Sequence, residues 1–233
     1  MDKRELIQAI VDLEWPMFHN VNGEDAPKAD CQNDRATFTG MRTGQFAAWD
    51  EETLASYLED LKAAVAAGRN LDTEKYIHMM KTTSPSKYEQ LSKRCVFPDE
   101  EGLAYAQKIT DKMIDQTVAL FDAYPYVAGS GRPLRSQEDW SGVTSIETYQ
   151  KGELYTYSTK TLKLLWAHME KLEAEGLSLA KLILENSVRY YGYKDLEEAE
   201  AGMKKFAESQ PIEFSFGCGC CSDDDCGDGG CCG

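Results

Sequence analysis

The spacing of apolar residues predicts an all-α fold, with a single multi-helix domain over residues 1–210. Apolar side chains recur every three to four residues through most of this range, as they do along one face of an α-helix. Long alternating patterns, which would indicate strands, are absent; only residues 153–157 and 212–216 can form short extended segments. We find no internal repeat. A chain of 233 residues is long enough to bury one sizeable core.

Capping residues and prolines divide the first half of the chain into helices. Asp2 is a suitable N-cap for a first helix that runs to about Trp15, since Pro16 should bend or end it. Residues 19–33 are rich in turn formers and charges, which predicts a loop. Further helices are predicted over residues 34–49, 50–67 and 71–82, and a short one opens at Ser84-Pro85.

The second half contains the longest predicted helix and the longest irregular stretch. The helix spans residues 100–123 and is stopped by Tyr124-Pro125. The irregular stretch, residues 125–142, is either a linker or a loop over a site. The remaining helices are predicted over residues 144–155, 159–175, 178–191 and 195–209.

Composition excludes several classes of partner. The formal net charge is −15, so the chain should be repelled by phosphate backbones and by anionic membranes. No apolar stretch approaches the roughly 20 residues that cross a bilayer, so we expect no membrane insertion. The acidic N-terminal segment is unlike a secretory signal, and a cytoplasmic location is the default expectation.

The end of the sequence differs from the rest. Residues 211–216 form a short extended lead, and residues 217–233 contain six cysteines, six glycines and four aspartates without any aliphatic or aromatic side chain. Such a segment cannot bury apolar surface, so we expect it to be disordered unless covalent or coordinate bonds order it. The six cysteines are Cys218, Cys220, Cys221, Cys226, Cys231 and Cys232.

The spacing of these six cysteines is typical of soft-metal ligands. Thiolates bind zinc, copper(I) or the iron of iron–sulfur clusters, and adjacent thiolates can bridge two metals as in metallothioneins. The pattern lacks the paired C-x2-C knuckles of a zinc ribbon. A metal-exchange protein would be the natural partner. Thiol redox chemistry is an alternative, and so is an accessory low-complexity extension.

The aspartates of the tail argue against nucleophilic catalysis. An activated cysteine needs an electropositive setting. Asp223, Asp224, Asp225 and Asp228 instead disfavour the thiolate, and no basic residue accompanies them. The same carboxylates attract cations, which favours metal capture over catalysis.

Several polar residues fall on the apolar stripes of predicted helices. The set is Glu14, Arg42, Gln45 and Asn186. Burying such groups is costly unless they are paired, so they form either an internal network, for example Glu14 with Arg42, or the lining of a pocket for a cofactor or small molecule. Tyrosines at positions 149, 155, 157, 190, 191 and 193 can either rim such a pocket or pack the core.

Two stretches carry a resemblance to a known family. They are Cys31-Gln32-x-Asp34 followed by Phe38, Met41-Arg42, Gln45 and Trp49, and Glu74-Lys75-Tyr76 followed by Met79-Met80, Pro85 and Tyr88. Here the chain resembles a bacterial family described as domain of unknown function 4125, over residues 1 to about 210. The resemblance implies a shared helical fold and no known activity. It also implies that Cys31, Asp34, Arg42 and Gln45 belong to one local structure.

Three classes of function therefore remain. The first is a metal- or thiol-handling protein that binds or traffics a soft metal through its C-terminal thiolates. The second is a helical enzyme or small-molecule binder with a polar pocket around Arg42. The third is an adaptor that binds another protein. No catalytic residue is assigned.

Overall fold

The computed structural model describes residues 1–21, 28–129, 131–140 and 142–209, and within these the predicted all-α fold is confirmed. The helices are α1 Lys3–His19, α2 Arg35–Ala47, α3 Glu51–Ala66, α4 Leu71–Thr83, α5 Pro85–Leu91, α6 Glu100–Ala123, α7 Pro125–Ala128, α8 Ile146–Leu154, α9 Thr159–Ala174, α10 Leu179–Tyr190 and α11 Leu196–Ser209. Short 3-10 turns occupy Asp30–Asn33, Ser92–Arg94 and Ser136–Glu138. The extended lead and the cysteine tail lie outside the described residues.

Side-chain caps explain where most helices begin. Asp2 forms a capping box with Glu5 at the start of α1, and Asp50 accepts from the backbone N–H of Thr53 at the start of α3. The same contact opens α2, α4, α6, α8, α9 and α10, with Asp34, Asn70, Asp99, Ser145, Ser158 and Ser178 as the acceptors. These oxygens satisfy backbone donors that have no partner within the helix.

Three sequence predictions need correction. α1 does not end near Trp15 but continues through Pro16 to His19. The proline removes a single hydrogen bond, while the last turn gains aromatic packing, with the Phe18 ring 5.0 Å from that of Phe38. Residues 125–142 are not wholly irregular, since they contain α7 and one 3-10 turn. Residues 153 and 154 end α8 and form no strand, and residues 212–216 lie outside the described part.

The main core lies where α1, α2, α3, α6 and α9 meet. Its fully buried side chains include Ile10, Phe46, Leu54, Leu61 and Met169. Helix α4 packs against α8 and α1, while α10 packs against α2 and α6. A smaller cluster of Val188, Leu196 and Ala199 joins α11 to α10. Helix α2 therefore contacts α1 on one side and α10 on another.

None of the helices in the described ranges is long and apolar enough to cross a membrane.

Candidate functional site

A cluster of charged side chains lies inside the helical body, with Arg42 of α2 at its centre. The Arg42 Nε donates to Glu14 Oε2 of α1 at 2.8 Å, and Nη2 donates to the second oxygen of the same carboxylate. Nη1 donates to Gln45 Oε1 at 2.7 Å and to Glu153 Oε1 of α8 at 3.0 Å. The planar guanidinium thus binds one carboxylate through two bonds and reaches a second. The predicted pairing of Glu14 with Arg42 is present.

Glu153 is the second centre of the cluster. Its Oε2 accepts from Lys75 Nζ of α4 at 3.0 Å, and its Oε1 accepts from the Tyr157 hydroxyl at 2.7 Å. The Gln45 amide donates to the same carboxylate at 3.1 Å. On the other side, the Tyr57 hydroxyl of α3 donates to Glu14 Oε1 at 2.7 Å. We call Glu14, Arg42, Gln45, Tyr57, Lys75, Glu153 and Tyr157 the buried ionic cluster.

The four charged members are almost completely removed from water. Their side chains are 5% exposed at Glu14, 13% at Arg42, 7% at Lys75 and 11% at Glu153. Such burial costs free energy that only close pairing and hydrogen bonding can offset. The cluster joins α1, α2, α3, α4 and α8, so its bonds link most of the helices around one side of the core.

The electrostatic surroundings fix the charge state of this cluster. Burial by itself would raise the pKa of Glu153, but the charges of Arg42 and Lys75 outweigh it and hold that pKa well below its usual range. Burial would likewise lower the pKa of Lys75, and the Glu153 carboxylate reverses this and raises it. Burial, followed by the nearby carboxylates, raises the pKa of Tyr57 and of Tyr157. Glu153 and Lys75 therefore stay ionised, and Tyr57 and Tyr157 stay neutral, through the physiological range.

Little space remains beside the cluster. A cavity of about 10 Å³ is bordered by Glu14, Arg42, Asp72, Lys75 and Glu153, among other residues. That volume holds no more than about one water molecule. The side chains of the cluster contact one another and fill most of their own site.

Half-buried Asp72, at the rim of this cavity, was not predicted from sequence. Burial raises the pKa of its carboxyl to about 6; Lys75 counters this, and the carboxylate of Glu14 adds to it. Together with Glu14 and Glu153 it makes three carboxylates against the two cations Arg42 and Lys75. An ionised Asp72 gives the cluster one negative charge in excess.

Asn186 is not part of the cluster. Its side-chain amide donates to the carbonyl oxygen of Gly44 at 2.9 Å, where α10 packs on a different side of α2. It lines an open groove of about 840 Å³ between α2 and α10. Sequence reasoning missed this groove, although the run of Ala36, Gly40, Gly44 and Ala47 at helical spacing could have indicated a face without large side chains.

Glu74 and His78 lie one turn apart on α4 and have separate contacts. Glu74 accepts two bonds from Arg69, at 2.7 and 2.6 Å. His78 is buried against the rings of Phe97 and Tyr155, and its pKa is lowered to about 4 because burial disfavours the charged imidazole. No group of three or more His, Cys, Asp or Glu side chains in the described part of the chain is placed to hold a metal ion.

The two body cysteines occupy separate settings. Cys31 lies in the 3-10 turn before α2, and Cys95 follows the turn at Ser92–Arg94. Burial, together with the carboxylate of Glu74, raises the pKa of the Cys95 thiol to about 11. Cys95 is therefore a thiol at neutral pH, and it would have to lose that proton before it bound a metal. The six predicted metal ligands, Cys218, Cys220, Cys221, Cys226, Cys231 and Cys232, lie outside the described residues.

Comparison with known proteins decides the family. The model of a family described as a protein of unknown function, DUF4125, matches residues 4–201. The chain belongs to the DUF4125 family. The match takes in every helix that contributes to the buried ionic cluster, so this DUF4125 domain contains the cluster entirely. No curated protein and no solved structure matches this DUF4125 chain.

Proposed function

We propose that this DUF4125 protein binds or carries a soft metal ion through its C-terminal thiolates. The observation that carries the proposal is the presence of six cysteines within the last 16 residues, in the spacing C-x-C-C-x4-C-x4-C-C. Closely spaced thiolates favour zinc, copper(I) or an iron–sulfur cluster over hard cations. Four neighbouring aspartates raise the local concentration of cations.

Two observations on the helical body support a role for the tail. The most site-like feature of the body, the buried ionic cluster, is mostly filled by its own side chains. The thiol of Cys95 holds its proton at neutral pH, because burial raises its pKa. In this proposal the body is the stable carrier, and a partner of the body receives the metal by exchange of one thiolate ligand at a time.

The test compares the full chain with a full-length variant in which all six tail cysteines are serine. Both are purified without oxygen, and their masses under native conditions and their metal contents are measured. We expect the wild type to hold zinc, copper(I) or an iron–sulfur cluster, and to release protons when the metal binds. The serine variant should hold none. Cys31→Ser with Cys95→Ser is the matched control and should keep the metal.

Two results would overturn the proposal. One is equal metal content in the wild type and in the six-serine variant, with no proton release on adding zinc or copper(I). The other is a wild type that carries tail disulfides and no metal after anaerobic purification, which would favour a thiol redox role.

A further inference from the structure

The groove between α2 and α10 has a floor of small side chains. Six residues of α2 form this floor: Ala36, Thr39, Gly40, Thr43, Gly44 and Ala47. Most of its accessible lining is apolar. Tyr190 and Asn186 cover Gly40 and Gly44, and the rest of the floor is left uncovered by the described residues. An uncovered groove of about 840 Å³ has the size of a binding site rather than of a packing defect.

One end of the groove carries two exposed arginines. The Tyr190 hydroxyl donates to the carbonyl oxygen of Ala36, so the C-terminal end of α10 meets the N-terminal end of α2. Arg35 and Arg189 line this end, and their side chains are 58% and 52% exposed. Among the described residues each pairs with one carboxylate, Arg35 with Asp12 at 2.9 Å and Arg189 with Glu185 at 3.4 Å. Exposed pairs of this kind are worth little and exchange readily with another anion.

The chain contains a segment with matching chemistry. Beyond α11, residues 212–216 carry the apolar side chains Ile212, Phe214 and Phe216, and the sequence then reaches Asp223, Asp224 and Asp225. Gly217 and Gly219 lie between the two groups and permit a turn. In a chain of net charge −15, most other surfaces repel such an acidic segment, whereas the two arginines attract it.

The segment is long enough to reach the groove. Helix α11 starts beside the end of α10, where Leu196 packs with Val188. Its 14 residues are about 21 Å long, and the seven residues after Ser209 span up to about 23 Å when extended. Even if α11 points straight away from the groove, Phe216 can return to the level of Tyr190, and the aspartates extend further.

We propose that the groove between α2 and α10 is the docking site of the chain's own residues 214–225. Phe214 and Phe216 cover the small-residue floor, and the three aspartates pair with Arg35 and Arg189. Docking places Cys218, Cys220 and Cys221 beside the N-terminal end of α2. The inference does not depend on metal binding, because it uses only the apolar and acidic side chains of the segment.

Limited cleavage by chymotrypsin after Phe214 and Phe216 tests the docking. The full chain is kept reduced, with a chelator present, so that no metal contributes. We expect cleavage of the wild type to be at least about tenfold slower than cleavage of the double variant Arg35→Glu with Arg189→Glu. Thr43→Trp, which fills the groove from an exposed position, should accelerate cleavage similarly. Lys160→Glu with Lys163→Glu on α9 is the matched charge control and should leave the rate unchanged.

Three outcomes would overturn the inference. The first is equal cleavage rates in the wild type and in both groove variants, when circular dichroism shows that all are folded. The second is protection that increases with protein concentration, since the occupant would then be a second copy. The third is an equal acceleration in the α9 control, which would reduce the effect to net charge.

Discussion

Two sides of helix α2 are packed in opposite ways, one by paired charged side chains and the other by glycines. On the side facing α1 and α8, the Arg42 side chain is 13% exposed, Gln45 is half-buried, and every charge has a partner at hydrogen-bond distance. On the side facing α10, Gly40 and Gly44 remove the side chain, so that Tyr190 and Asn186 approach the helix backbone. The first side is closed by its own side chains, and the second remains partly open as a groove. The comparison teaches that paired charges close one side of α2, while the small residues of the other side admit α10 and leave part of that side open.

The largest effect is expected from a substitution in the buried ionic cluster, on the closed side of α2. Arg42→Met leaves the carboxylates of Glu14 and Glu153 buried without their main partner, which should lower the free energy of unfolding by about 3–5 kcal/mol. Urea denaturation at pH 7 measures this loss. Arg35→Met is the control on the same helix, since its exposed pair with Asp12 should be worth at most about 1 kcal/mol. Equal losses in the two variants would show that the cluster does not hold the helices together.

The next effect concerns the open side. A Cβ at Gly40 would lie 2.0 Å from the Tyr190 ring, so Gly40→Ala must displace that ring and its bond to Ala36. We expect a loss of about 1–3 kcal/mol in thermal or urea unfolding. Gly44→Ala is the matched control, because its Cβ would lie 3.5 Å from the nearest atom of Asn186. There the gain in helix propensity, up to about 1 kcal/mol, should prevail. Equal behaviour of the two variants would contradict the close packing at Gly40.

The sequence predicted the helices far better than the site. Helix boundaries follow from local signals: Asp50 caps α3, Asp99 caps α6, and Gly176 takes a left-handed conformation just after α9. The pairing of Glu14 with Arg42 could also be predicted from sequence, because each lies on an apolar stripe and a buried charge needs a partner. The failure at Pro16 has a local reason too, since the aromatic contacts of the last turn offset one missing hydrogen bond.

The rest of the cluster depends on distances in space. Glu153 lies 111 residues after Arg42, and no local pattern distinguishes it from an exposed glutamate. Lys75 and Asp72 share the first turns of α4, yet only the packing of α4 on α8 turns that region inward. Asn186 was grouped with Arg42 because both lie on helical stripes, but α10 reaches α2 from a different side. Periodicity identifies a buried side of a helix and does not identify its neighbours.

The smallest expected effect tests whether Asp72 adds a negative charge to the buried ionic cluster. Burial raises the pKa of Asp72 from 3.8 to about 6, so the folded protein holds this proton more tightly than the unfolded chain does. The stabilisation from that proton is complete below about pH 4 and is lost as the pH rises through about 6. Asp72→Asn should therefore raise the melting temperature at pH 7.5 and leave it nearly unchanged at pH 4. The dipole at the N-terminus of α4 favours the carboxylate by about 0.3–1 kcal/mol, which limits the gain.

The control for this last effect removes a neighbouring positive charge. Lys75→Met removes a cation that faces Asp72, so it should raise the pKa of the Asp72 carboxyl further. Carbon-13 NMR titration of that carboxyl measures the pKa directly in both proteins. A wild-type value below about 4.5 would show that Asp72 is solvated like a surface aspartate. The buried ionic cluster would then contain two carboxylates, Glu14 and Glu153, and two cations, Arg42 and Lys75, and its charges would balance.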